Sequence, residues 1–147
     1  MTGKVIKIGI TQKKSEQIVS FDSVEVVKGL GIIGDRNFIE NNDIKKQITL
    51  MEIENIDYYN KITNSDILPI NFRRNIITKN ITLNNLVGKK FFIGKIKVKA
   101  HDLCRPCKYL QNLLNKNDLV KKLMLKSGLR CEILSNGNIS IGDKIKI

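Results

Sequence analysis

Short runs of isoleucine and valine, cut at intervals by glycine and asparagine, recur along this chain without a regular alternation of helix and strand. Residues 4–10 place Val5, Ile6, Ile8 and Ile10 in the pattern of a half-buried strand. Further strands are predicted over 23–28, 47–51, 72–78, 89–92 and 95–100, the last two joined at Gly94. A parallel sheet needs a crossover of a dozen or more residues between successive strands, and too few helical segments are present to supply them. The chain is therefore read as mainly β (α+β), a largely antiparallel, partly closed β-barrel with two or three accessory helices. Asn136-Gly137, between runs 129–135 and 138–147, predicts a type I′ turn and a terminal hairpin.

Helical spacing is clearest from Glu52 onward, where Ile53, Ile56, Tyr59 and Ile62 recur on one face. Residues 109–114 and 118–126 are predicted to be helical as well, with Asp118 as N-cap. Gly29, Gly31 and Gly34 suit a tight loop whose backbone can approach a ligand, but their spacing is not that of a dinucleotide fingerprint. At 147 residues the chain is expected to form one domain, residues 1–147.

A formal charge of +12 attracts phosphates of any origin. Lysine is spread along the whole length with no basic tail or block, which disfavours nucleic acid as partner and fits a solvated surface. Three cysteines and no apolar leader point to a reducing cytoplasm, and no apolar run reaches the roughly 18 residues of a spanning helix, so no membrane partner is expected.

The chemistry concentrates in two segments, Phe72-Arg73-Arg74-Asn75 and Cys104-Arg105-Pro106-Cys107. The first offers forked guanidinium donors and an amide able to hold a phosphate, or else exposed strand residues with no ligand; strand alternation puts Arg73 and Asn75 on one face and Arg74 on the other. The second sets two thiols about a cation that favours thiolate, so Cys107 or Cys104 can act as nucleophile, metal ligand or persulfide carrier. Structural zinc needs four ligands and would require His101, Cys104, Cys107 and Cys131 together at irregular spacing. His101 reads as a satisfied structural side chain and Cys131 as a core residue. No Ser-His-Asp order, HExxH or P-loop is present, which leaves hydrolase and nucleotide-triphosphatase chemistry without support.

In order along the chain, Gly34-Asp35-Arg36, Phe72-Arg73-Arg74-Asn75-Ile76, Cys104-Arg105-Pro106-Cys107 and Ile141-Gly142-Asp143 resemble a MOSC domain, named for the C-terminus of molybdenum cofactor sulfurases. The resemblance runs from about Lys4 to Ile147 and implies a β-barrel with accessory helices that binds molybdenum cofactor (molybdopterin). By motif position it implies Cys107 as molybdenum ligand and catalytic residue, with Arg36, Arg73 and Asn75 holding the pterin's phosphate; Arg105, a further candidate for cofactor binding, stands where other residues are common in the family. The implied activity is that of an oxidoreductase removing oxygen from N-hydroxylated small-molecule substrates, with electrons from a donor protein. The alternative is a sulfur carrier, loaded by a sulfur donor, in which Cys107 holds a persulfide for delivery to a metal-sulfur centre. Asn37 stands where many small members carry His, so no role passes to that position.

Overall fold

The computed structural model describes residues 2–13, 16–40, 43–106 and 108–147. In chain order the elements are β1 (Gly3–Ile10), β2 (Val19–Ser20), β3 (Ser23–Val27), β4 (Gly31–Ile32), β5 (Ile48–Glu52), α1 (Ile53–Thr63) and β6 (Ile76–Lys79). There follow β7 (Lys90–Ile93), β8 (Ile96–Leu103), α2 (Lys108–Leu113), α3 (Leu119–Lys122), β9 (Leu129–Ile133), β10 (Gly137–Ser140) and β11 (Lys144–Lys146). Strands β1, β6, β5, β9, β8, β7 and β11 pair in that order, and β11 returns to β1 with Gly3 opposite Ile145. The barrel is thus closed rather than partly open, which leaves no edge within this circuit. Among the described residues only β5 and β6 pair in parallel, and α1 is the crossover that permits it. Strands β10, β3 and β4 form a separate three-stranded sheet.

Alternation along the strands divides the apolar residues into two layers. In β9, Leu129, Cys131 and Ile133 are buried in the barrel core, while Arg130 and Glu132 face outward. The second layer lies on the barrel's outer wall, where Met51 and Ile77 meet Ile56 and Tyr59 of α1, Leu110 of α2 and Leu119 of α3. The helices are held chiefly by burying this face, since α2 and α3 are far too short to persist alone. Tyr59 also packs edge-on to Phe72, with ring centroids 6.1 Å apart. Among the described residues no helix is long and apolar enough to cross a membrane.

The Tyr59 hydroxyl donates to Asp118 Oδ1 at 3.0 Å. Burial, then this bond, pushes its pKa up to about 12. The unfolded chain releases that proton near pH 10 while the native state keeps it, so the native state binds more protons in between. Stability is predicted to fall as pH rises from 10 to about 12, and Tyr59→Phe should flatten that limb. Thermal unfolding against pH in the two proteins measures this; an unchanged alkaline limb in the variant would refute it.

Two local expectations, the terminal hairpin and the extent of the last helix, are not met. The terminal hairpin does not form: both edges of β9 are occupied, by β5 and β8, so β10 pairs with β3 instead. Gly137 has φ of 148° but Asn136 lacks positive φ, and the Asn136 side chain accepts from Lys28 N–H at 2.7 Å, tying barrel to small sheet. Asp118 does occupy the N-cap position of α3, as expected, but its side chain makes no capping bond, because the carboxylate is committed to Tyr59 and to Lys122 Nζ at 3.0 Å. The helix expected over 118–126 ends at Lys122, the chain turning through Leu125 at φ 63° to bring Ser127 and Gly128 against the barrel.

Candidate functional site

Beside the helix-covered wall, Asp102, Arg130 and Thr49 stand side by side on the outer faces of β8, β9 and β5, each the ladder partner of the next. The β8–β9 register shifts between Ala100 and Asp102, and this bulge brings the carboxylate opposite the guanidinium. Arg130 Nε donates to Asp102 Oδ1 at 2.8 Å, and Nη2 makes a second, very short bond to Oδ2. That contact holds the Asp102 carboxyl below its usual range and raises Arg130. Thr49 and Arg130 line a cleft of about 700 Å³.

The segment expected as a continuous strand over 72–78 enters β6 only at Ile76. Phe72 closes a 3₁₀ turn and Arg73 adopts a left-handed conformation at φ 65°, which breaks the alternation. Arg74 consequently lines the main cleft, with Nε donating to Ser127 O at 2.9 Å. Arg73 lines a smaller hollow adjoining it, and its Nη1 donates to Glu16 O at 2.8 Å. Asn75 is buried and knits three elements together: Oδ1 accepts from Thr49 N–H at 3.0 Å, while Nδ2 donates to Gly9 O at 3.1 Å. One amide hydrogen of Asn75 is left unused by these bonds.

Arg36 follows the glycine loop. Its N–H donates to Thr11 O at 2.7 Å, and buried Asp35 accepts from the Thr11 and Asn37 N–H groups at 3.1 and 3.3 Å. The loop is therefore fastened to the end of β1. Arg36 lines both the main cleft and the smaller hollow, and its Nη1 is buried with no hydrogen-bond partner among the described residues. Burial first, then the charge of Arg73, lowers its pKa, with Asp35 opposing.

Cys104 sits in the same cleft, buried, and burial raises its thiol pKa against a weaker opposing pull from Arg74. Arg105 lines the cleft mouth and is exposed. Cys107, the residue expected to carry the chemistry, lies outside the described residues. His101 Nε2 is 2.9 Å from Glu132 Oε1, and Cys131 is buried in the barrel core with its thiol pKa raised well above the usual value by burial. Among the described residues no cluster of three His, Cys, Asp or Glu side chains is placed to hold a metal.

The structure thus gathers Arg36 and Arg105 at one cleft and sets Arg73 and Asn75 at the hollow beside it. Sequence reasoning missed Arg130, Lys46 and Thr49; it offered both Arg73 and Arg74 as phosphate donors, and Arg74 is the one that lines the main cleft. The one signal for Arg130 was a charged residue between the apolar Leu129 and Cys131, which marks an outward strand position but not what shares that wall.

The MOSC domain profile matches residues 32–146. Among solved structures, the YuaD protein from Bacillus subtilis superposes with a TM-score of 0.82 at 20% identity, over 99% of this chain and 94% of that one. YiiM from Geobacillus stearothermophilus gives 0.76 at 20% identity, covering 98% of this chain and 74% of its own. YiiM from Escherichia coli gives 0.74 at 17% identity, covering 97% and 68%. A search of curated proteins returns no match. The structural likenesses establish the fold.

Proposed function

This chain belongs to the MOSC domain family, and from that premise we propose that its basic cleft holds molybdenum cofactor by the pterin's phosphate, with Cys107 as the protein's metal ligand, in an oxidoreductase that reduces N-hydroxylated substrates. The observation that carries this reading is Arg36 Nη1, a buried cationic donor with no partner among the described residues. Leaving such a group unpaired costs on the order of 1–3 kcal/mol or more, a cost that a bound anion removes. Arg74 is its neighbour on the cleft wall, and no carboxylate among the described residues lines the cleft with them. Donor set and charge therefore fit a phosphate-bearing cofactor.

The assignment of Cys107 follows the family motif that the segment Cys104 to Cys107 resembles. A metal ligand needs the thiolate form, and Arg105 is the cation two residues away in sequence. Cys104 is buried, and burial raises its thiol pKa, which suits a packing thiol and not a second ligand. Bound cofactor supplies a two-electron redox couple, and the chain supplies ligation, charge and orientation. Electrons come, in this reading, from a donor protein.

The anion half of the proposal is tested with Arg36→Gln and inorganic phosphate on cofactor-free full-length chain. Loss of a charge-assisted bond predicts phosphate affinity weaker by about 10- to 100-fold. Because the variant also removes a buried unpaired cation, its ligand-free melting temperature should be unchanged or higher. A lower melting temperature with unchanged phosphate affinity would assign Arg36 to structure instead.

A further inference from the structure

The cleft carries more positive charge than one phosphate uses. Arg36, Lys46, Arg74, Arg105 and Arg130 are five cations on its walls, and among the described residues Asp102 is the one carboxylate bonded to any of them. A phosphate monoester brings about −1.5 to −2 at neutral pH. Roughly two positive charges then remain uncompensated, by the same charge count.

These charges lie on two levels. Arg36 and Arg74 are partly buried and adjoin the smaller hollow at the cleft floor, whereas Lys46 and Arg105 are exposed at its mouth. Arg130 goes with the second group because, like Lys46 and Arg105, it lines the main cleft and not the smaller hollow; Asp102 grips its Nε and one hydrogen of Nη2, which leaves Nη1 and the outer Nη2 hydrogen without a partner among the described residues. A guanidinium clamped on one edge presents its other nitrogens with little rotamer entropy left to lose. Lys46 and Arg105 form no ion pair among the described residues.

We infer that the cleft binds a second phosphate-class anion at its mouth, held by Arg130 with Lys46 and Arg105. The inference rests on the floor being the cofactor-phosphate site. Two sources share this chemistry: the nucleotide phosphate of a dinucleotide form of the cofactor, or a phosphate on the substrate.

The test is calorimetric titration of cofactor-free full-length chain with inorganic phosphate at low salt. The wild type should bind two equivalents. Arg130→Gln should remove or weaken one at least tenfold and leave the other, which Arg36→Gln removes. Arg105→Gln, at an exposed position that does not bear on folding, should weaken the mouth equivalent at least threefold while sparing the floor. A single equivalent insensitive to both Arg130→Gln and Arg105→Gln would overturn the inference, whatever the cofactor content. Conversely, two equivalents in a protein that never acquires molybdenum would uphold the mouth site and defeat the cofactor reading. Acid release of one nucleotide per molybdenum from loaded protein assigns the second phosphate to the cofactor. With no nucleotide released, a KM raised at least tenfold by Arg130→Gln for phosphorylated substrate assigns it to the substrate.

Discussion

Gly128→Ala is expected to abolish the folded state or to leave it severely destabilised. Gly128 has φ of 107°, and a Cβ added there would lie 2.0 Å from Leu50 O and 3.0 Å from Leu50 C. Both contacts are with backbone. Leu50 sits mid-barrel, paired to Ile76 on one side and Leu129 on the other, so it cannot withdraw without opening two ladders. Gly128 O also accepts from Cys104 N–H at 2.8 Å, and its neighbour Ser127 O accepts from Arg74, so any shift reaches the cleft. Strain in the left-handed region adds to the clash. A loss above about 4 kcal/mol is predicted, and with about 2–4 °C per kcal/mol the melting temperature should drop by roughly 8–16 °C or the protein become insoluble. Ser127→Ala, whose Oγ only donates to Leu123 O at 3.3 Å, should cost far less. Equal melting temperatures for Gly128→Ala and wild type would contradict the packing described at this turn.

The second large effect is an asymmetry between two cysteines three positions apart. In the proposed reading Cys107 is the ligand, so Cys107→Ser should cut molybdenum content to below about a tenth of wild type, since a hydroxyl does not supply the thiolate that the metal takes. Cys104→Ser should retain at least about half, because a thiol kept protonated by burial contributes packing rather than ligation. Its cost should appear as a lower melting temperature, from placing a hydroxyl in a site only 5% exposed. Metal content and thermal unfolding of both variants, expressed side by side, settle the matter. Equal losses of metal would undo the assignment of Cys107.

Most strands were legible because β-branched residues alternate where one face is buried: β1, β3, β5, β7 and β8 begin within one residue of their expected starts. The terminal hairpin failed because the turn propensity of Asn136-Gly137 is local, while the partners of β9 are chosen by the barrel it completes. The site was only partly legible for a related reason. Motif spacing brought Arg36 and Arg105 to notice, but strand parity could not foresee that Arg73 leaves the β region or that Arg74 lines the main cleft. Arg130 could not be placed without the ladder that sets it between Asp102 and Thr49. Asn75 was recognised as part of the site, and the structure adds that most of its amide is spent joining β1 to the start of β5.

This chain's cationic cleft is proposed to hold a molybdenum-pterin cofactor. The most direct test is molybdenum per chain by elemental analysis, with pterin fluorescence on the same sample, after expression in a host that makes the cofactor. Near-stoichiometric metal with matching pterin is the predicted result. Protein free of both, from a host shown to load another molybdenum enzyme, would contradict the claim.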